Sequence, residues 1–290
     1  MTIHICDISK CWDQFESANN LIPNFNSISY STDCSDFTHP DNLRFDISYA
    51  FNAHGFRCDE FMNSASVLYL GCSITEGVGL KQSDTWAAQV HSRLFQNEPF
   101  YNLGKAANSI DANIRHALIL IETFKIKPNY IFFFVPAIFR YELMTDLGIF
   151  NYVPNHPNKN KNVGFQNIVS SYEAFITPHH KVFDILGKLR MFNFLMESLG
   201  VTLILSTWNN SNNVDITTEK IILADNKLKR KYIAVDHKLP VFKSNTYFDD
   251  LNMYARDGIH PGINYHTAVA DVFVTGFKNI RVVQGIGRPD

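Results

Sequence analysis

The chain of 290 residues is 46% hydrophobic and 19% charged, a composition typical of a globular protein with a sizeable core and not of a disordered chain. Its formal net charge of -2 offers no basic excess to neutralise a phosphate backbone, so a nucleic acid is not expected as the main partner. The longest apolar stretches run about ten residues, whereas a membrane-spanning helix needs about 20, so no membrane span is predicted.

The five cysteines are an odd number, are thinly spread and form no CxxC pair. They therefore predict neither a disulfide framework nor a zinc site. The first residues alternate polar and apolar side chains without the cationic-then-apolar order of a secretory signal. We expect a cytoplasmic or otherwise reducing compartment.

Residues 1–60 contain short strand-like pieces between turn-forming residues, and we interpret them as an N-terminal extension that packs on a main domain of residues 61–290. From residue 66 onwards, apolar runs typical of strands alternate with runs at helical spacing. In chain order these are strand 66–71, helix 84–95, strand 100–104, helix 109–124, strand 129–135, helix 180–200, strand 202–207, a weaker strand 232–236 and helix 264–277. The alternation predicts an α/β fold, a three-layer α/β/α sandwich around a mostly parallel five-stranded sheet.

Capping residues mark some of the predicted helix ends. Ser83 or Asp84 is the expected cap of the first helix, and Ser109 is the expected cap of the second. Gly200 stands where the third helix is expected to stop.

Small polar residues and glycines follow the first strand in "GCSITEGVG", residues 71–79. Ligands of parallel sheets bind beyond the carboxyl ends of the strands, where this turn and Gly104 both fall. The turn lacks the Lys-Ser/Thr ending of a phosphate loop, the GxGxxG spacing of a dinucleotide turn and the GxSxG elbow of α/β-hydrolases. It is either a plain strand-to-helix connection or a turn that presents the Ser73 hydroxyl to a substrate.

A serine nucleophile needs a base that takes its proton and a third group that orients the base. In "DGIHPG", Asp257 and His260 are three residues apart, directly before the last predicted helix. In a compact turn this spacing can bring the Asp257 carboxylate to the His260 ring. Each motif alone is common in turns without catalytic function, but together they predict a triad of Ser73, His260 and Asp257.

These segments resemble the SGNH, or GDSL-like, hydrolase family over residues 52 to 275. "YLGCSITEG" resembles its first block, with Cys72 where the family usually has Asp, and "DGIHPG" resembles its fifth. "YNLGKAANS" resembles the second block, which implies an oxyanion hole formed by the N–H groups of Ser73 and Gly104. "FNAHGFRCDEF", residues 51–61, resembles a lead-in of some members. The resemblance implies ester hydrolysis that requires no metal or organic cofactor.

The chain departs from the family at the third block, which is usually GxND and whose Asn donates to the oxyanion. Here the segment after the third strand reads "VPAIFRYE", with Pro136, Ala137 and Ile138 in its place. Three explanations are open. Asn108 or Asn209 replaces the donor, the two backbone N–H groups suffice for an activated ester, or catalysis is lost and the pocket only binds.

Three functions follow: a serine ester hydrolase acting on a small-molecule or carbohydrate ester such as an O-acetyl sugar, an O-acyltransferase using the same triad, or a non-catalytic carbohydrate-binding relative. Trp208 follows the fourth strand and either stacks on a sugar ring or lies in a solvated loop. Arg140 either faces substrate or pairs with Glu142 or a neighbouring surface acid. The Asn-, Pro- and Lys-rich stretch 151–165 is either a surface loop or a substrate-binding insertion.

Overall fold

A computed structural model describes residues 49–137, 140–145, 148–152, 171, 174, 177–207, 215–235 and 260–284. Within these residues, four parallel strands form the central sheet in the order β2-β1-β3-β6, and an antiparallel hairpin, β4–β5, follows β3 in the chain. The strands are β1 (Ala65–Leu70), β2 (Phe100–Asn102), β3 (Lys127–Val135), β4 (Tyr141–Thr145), β5 (Gly148–Tyr152) and β6 (Thr202–Thr207).

The predicted α/β class with a parallel sheet is confirmed, but the sheet has four strands in the described chain, not five. The predicted fifth strand, 232–236, forms only an isolated parallel bridge between Tyr232 and Leu205 of β6. The Leu205 N–H donates to the Lys231 carbonyl and the Ile233 N–H donates to the Leu205 carbonyl, each at 2.8 Å. Within the described residues the segment therefore lies beside β6, but its ladder is limited to this one residue.

Helices connect the strands, as the sequence pattern predicts. The helices are α1 (Ser73–Glu76), α2 (Trp86–Leu94), α3 (Ile110–Glu122), α4 (Pro178–Ser198), α5 (Asp215–Ala224), α6 (Asn226–Lys229) and α7 (Ile263–Gln284). The four longer predicted helices are thus present as α2, α3, α4 and α7, whereas α5, α6 and the hairpin were not predicted. No helix in the described part of the chain is long and apolar enough to span a membrane.

The caps agree with the sequence at one helix and differ at another. Ser109 caps α3, because its side chain accepts the Ala112 N–H at 3.1 Å. The cap of α2 is Thr85, whose hydroxyl accepts the Ala88 N–H at 3.2 Å, and the prediction of Ser83 or Asp84 is wrong. Those residues belong instead to a short 3-10 turn, Gln82–Asp84, that delays the helix. Beyond the end of α4, Gly200 has a left-handed φ of 74°.

Aromatic residues of β3 show that helices cover both faces of the sheet. The rings of Phe132 and Phe134 contact Phe273 of α7, whereas the ring of Phe133 contacts Phe192 of α4. Helix α2 packs with α7 on the first face, and α3 packs with α4 on the second. Because consecutive strand residues point to opposite faces, an almost wholly apolar β3 requires this three-layer arrangement.

Candidate active site

Ser73 is the first residue of α1, a single helical turn that begins where β1 ends between its two neighbouring strands. We call residues 71–77 the serine turn. A Cβ at Gly71 would lie 1.9 Å from Thr75 Oγ1, so only glycine fits where the chain folds back on itself. Gly77 ends the turn with a left-handed φ of 79° and donates its N–H to the Ser73 carbonyl. The turn leaves Ser73 8% exposed.

Three buried asparagines hold the backbone of the serine turn. Asn113 of α3 accepts the Gly71 N–H at 2.7 Å, and Asn108 donates its side-chain N–H to the Gly71 carbonyl at 3.5 Å. Asn102 of β2 donates its side-chain N–H to the Thr75 carbonyl at 2.7 Å. All three side chains are at most 1% exposed. Buried amides need such partners, so the position of the turn is coupled to β2 and α3. Asn108, predicted as a substitute oxyanion donor, therefore lies against the serine turn.

Gly104 packs directly on α1. A Cβ at Gly104 would lie 2.5 Å from the Glu76 backbone nitrogen, so the absence of a side chain allows the β2–α3 loop to approach the helix. Its backbone N–H donates to Asn102 Oδ1 at 3.0 Å. The N–H that the resemblance assigns to the oxyanion hole is thus bonded inside its own loop in this structure.

Ala107 is a further residue of this loop, and the sequence analysis did not single it out. Its φ of 65° lies in the left-handed region that residues other than glycine rarely adopt. The Ala106 N–H donates to Glu76 Oε2 at 2.6 Å, and Asn108 contacts Gly71, so both neighbours of Ala107 are bonded to the serine turn. Its own N–H has no acceptor within the described chain. The sequence gives no signal for this turn, because glycine or asparagine is the residue expected at a left-handed φ.

His260 lies within electrostatic range of the serine turn. Burial raises the pKa of Glu76, and the Ala106 N–H and the positive charges of Lys105, Arg57 and His260 act in the opposite direction. His260 is thus close enough to act electrostatically on the last residue of α1, three residues from Ser73. Asp257, the predicted third member of the triad, lies outside the described residues.

His266 fixes the first turns of α7, which follow His260. Its Nδ1 accepts the backbone N–H of Trp86, the first residue of α2, at 3.0 Å. Burial lowers the pKa of His266 to about 3, and the charges of His260 and Arg57 add to that effect. The ring is therefore neutral and can keep this acceptor role. This bond connects the histidine segment to the helix that follows the serine turn.

Of the alternatives for Arg140, an ion pair with Glu142 is not found among the described residues, and a pair with a neighbouring surface acid stays a prediction. Arg115 of α3 donates to both carboxylate oxygens of Glu142, with the Nε contact at 3.0 Å, and so occupies them. Arg140 lies beside Tyr141 and Lys181 at a small pocket, and its buried Nη1 has no hydrogen-bond partner among the described residues. A contact between Arg140 and a substrate stays a prediction.

Other predictions fall outside the described part of the chain. Pro136 and Ala137 follow β3 as expected, and Pro136 is buried. Outside the described residues lie Ile138, Trp208, Asn209 and positions 153–165 of the Asn-rich stretch.

Comparison with known proteins gives structural matches alone. No protein-family model matches the chain, and no curated protein matches it. A member of the lipolytic G-D-S-L family from Veillonella parvula is 14% identical, with 74% of this chain and 99% of that chain covered and a TM-score of 0.43. The motifs of this sequence resemble the same family.

Two further solved structures are esterases by description. A psychrotrophic esterase, EstA, from a Pseudoalteromonas species is 13% identical over 74% of this chain and 97% of that chain, with a TM-score of 0.43. A carbohydrate acetylesterase family member from Sinorhizobium meliloti is 10% identical over 75% and 99%, again with a TM-score of 0.43. At these identities and TM-scores we base no functional conclusion on them.

Proposed function

We propose that the chain is a serine ester hydrolase with Ser73 as nucleophile, His260 as general base and Asp257 as the group that orients His260. The observation that carries the proposal is the serine turn itself. It places a serine at the start of a one-turn helix, at the carboxyl end of β1, with its backbone held by buried asparagines and with His260 near its far end. A serine on a fixed backbone, with a histidine within electrostatic range of the same turn, suits nucleophilic attack.

In the proposed reaction His260 takes the proton of Ser73 as the hydroxyl oxygen attacks the acyl carbonyl. The tetrahedral intermediate collapses when His260 protonates the leaving alkoxide, and an acyl-serine forms. Water then attacks the acyl-serine with His260 again as the base, and the acid is released. No step requires a metal or an organic cofactor.

Two backbone N–H groups are proposed to bind the oxyanion. The first belongs to Ser73. For the second, we favour Ala107 because its N–H has no acceptor in the described chain and both of its neighbours contact the serine turn. Gly104 is the alternative, and its use requires that Asn102 release the Gly104 N–H. Either choice gives two backbone donors without the missing Asn of the third block.

A small acyl group is the substrate class that we propose. Ser73 is only 8% exposed, which favours an acetyl group over a bulky acyl chain. We propose a carbohydrate as the alcohol portion of the natural ester, with Trp208, Asn108 and Arg140 as candidate contacts.

The decisive experiment combines turnover of p-nitrophenyl acetate with labelling by a fluorophosphonate probe. We expect both in the wild-type chain and in Ser83→Ala, which changes an exposed serine of the 3-10 turn, and neither in Ser73→Ala. Equal thermal unfolding temperatures would show that the variants are folded. Unchanged turnover in Ser73→Ala would rule out the assignment.

The same assay separates the other two functions. Transfer of the acetyl group to an added sugar alcohol, in preference to water, would indicate an O-acyltransferase. A folded wild-type chain that neither reacts with the probe nor hydrolyses the ester would indicate a non-catalytic binding protein.

A further inference from the structure

Residues 52–57, which we call the lead-in turn, have no role in the chemistry proposed above. Asn52 builds this turn, because its Oδ1 accepts the backbone N–H groups of both His54 and Phe56 at 3.0 Å. Gly55 has a left-handed φ of 75°, and Phe56 is buried in the core. The N-x-x-G-F-R pattern thus specifies a side-chain acceptor, a left-handed residue and an apolar anchor, and these deliver Arg57 to a defined place.

Arg57 lies beneath the end of the serine turn and is 1% exposed. Its Nη1 donates to the carbonyls of Gly77 and Glu76 at 2.7 and 3.2 Å, and its Nη2 donates to the carbonyl of Leu80 at 2.6 Å. The last carbonyls of a helix have no donor within the helix. The guanidinium supplies charged donors to these carbonyls in a fixed planar geometry.

Tyr49 contacts both Arg57 and the backbone that follows the serine turn. The Arg57 guanidinium lies 4.1 Å from the centroid of the Tyr49 ring, a cation–π contact. The Tyr49 hydroxyl accepts the Gly79 N–H at 2.7 Å. Backbone groups of four residues that end or follow α1 are therefore bound by two side chains that precede β1 in the sequence.

A helix of one turn needs such support at both ends, because one turn of helix is unstable by itself. Asn113 and Asn108 hold the beginning of the serine turn and Arg57 holds its end. We propose that Arg57 is a positioning residue: by anchoring the end of α1 it keeps the Ser73 hydroxyl aligned with His260. This inference rests on the proposed function, and it assigns the lead-in turn to the same site.

The test compares Arg57→Ala and Arg57→Lys with Arg93→Ala. Arg93 is a partly exposed cation of α2 bonded to Asp271 and Gln89, away from the serine turn. With p-nitrophenyl acetate we expect kcat of Arg57→Ala to fall by about 100-fold while KM changes by less than about twofold, because misplacement of a nucleophile affects the transition state more than ground-state binding. Added guanidinium ion should restore part of the kcat of Arg57→Ala and leave Arg93→Ala unaffected.

Arg57→Lys should retain an intermediate kcat, because an ammonium is a point charge and does not reproduce the planar fork. Tyr49→Phe keeps the ring but removes the acceptor of the Gly79 N–H, and we expect a smaller decrease in kcat. A kcat of Arg57→Ala within about twofold of wild type, in a folded protein, would overturn the proposal. If Arg57→Ala does not fold, wild-type kcat in both Arg57→Lys and Tyr49→Phe would overturn it.

Hydrogen–deuterium exchange separates this inference from the proposed function. Loss of Arg57 should accelerate exchange in residues 76–80 while α7 stays protected. If the wild-type chain shows no esterase activity but Arg57→Ala shows this local acceleration, the proposed function fails and the anchoring role is retained. Unchanged exchange of residues 76–80 in Arg57→Ala would contradict the anchor whatever the activity.

Discussion

The two halves of the candidate site are held in place by different kinds of interaction. The serine turn is fixed by hydrogen bonds from buried polar side chains, with Asn113 at its start and Arg57 at its end. The segment of His260 depends on α7, which packs on β3 and α2 through aromatic rings and is tied by the bond from the Trp86 N–H to His266. The position of Ser73 should therefore be sensitive to substitutions of buried amides and of closely packed glycines. The position of the histidine segment should be sensitive to changes in aromatic packing and in pH.

The largest expected effect comes from close packing on the serine turn. In Gly104→Ala the new Cβ would overlap the backbone of Glu76, so we expect a loss of about 3 kcal/mol of stability and strongly reduced labelling of Ser73. Gly187→Ala is the matched control, because a Cβ there meets nothing within 4 Å and alanine is the better helix former. Chemical denaturation measures the free energies of unfolding of both variants. Equal values would show that close packing at Gly104 does not hold the serine turn.

The amide network gives the next largest effect. Asn113→Ala leaves the buried Gly71 N–H without its acceptor, and we expect the free energy of unfolding to fall by about 2 kcal/mol. The rate of fluorophosphonate labelling should fall as well. Asn129→Ala removes an exposed asparagine whose side chain donates a hydrogen bond to Glu98, and it should change neither quantity. A labelling rate for Asn113→Ala equal to that of the control would show that the amide does not position Ser73.

The next prediction concerns His266 in the histidine segment and the pH dependence of the free energy of unfolding. Burial holds the pKa of His266 at about 3, so the unfolded chain binds a proton below pH 6.5 that the folded chain does not. The free energy of unfolding is therefore unaffected by His266 above pH 6.5. It falls on acidification, by about 2 kcal/mol at pH 5, because the unfolded chain gains the proton. Burial also lowers the pKa of His116 well below its usual value, which adds a loss in the same direction.

Denaturation of wild type and His266→Asn at pH 7 and pH 5 isolates the contribution of His266. The difference between the two pH values should shrink by about 2 kcal/mol in the variant. An unchanged difference would show that His266 is not held neutral by the contact between α2 and α7.

The smallest expected effect concerns the strained loop. Ala107→Gly relieves a left-handed backbone and should stabilise the chain by about 1 kcal/mol. It keeps the backbone N–H, so esterase activity should stay within about twofold of wild type if that N–H binds the oxyanion. Equal stability of the two chains in denaturant would indicate that the loop carries no strain.

Local patterns in the sequence predicted much of this architecture. The apolar run of β3 and the helical spacing of α3 are short-range signals, because burial on both faces of a strand and along one face of a helix follows from side-chain periodicity. Ser109 was recognisable as a cap because it directly precedes that helical pattern, which is also a short-range signal. The motif around Ser73 also lies within one continuous segment, so its position after β1 was predictable.

Tertiary contacts decided the rest. An asparagine inside a helix, such as Asn113, has no sequence signal that distinguishes it from a surface residue, and an arginine after a turn is usually solvated. Arg57 can be buried because the fold places the carbonyls of residues 76, 77 and 80 within hydrogen-bond distance of its guanidinium. Glu142 pairs with Arg115, which is distant in sequence, and not with the nearby Arg140. Periodicity acts over a few residues, whereas the partners of a buried polar group are chosen by the packing of segments far apart in the chain.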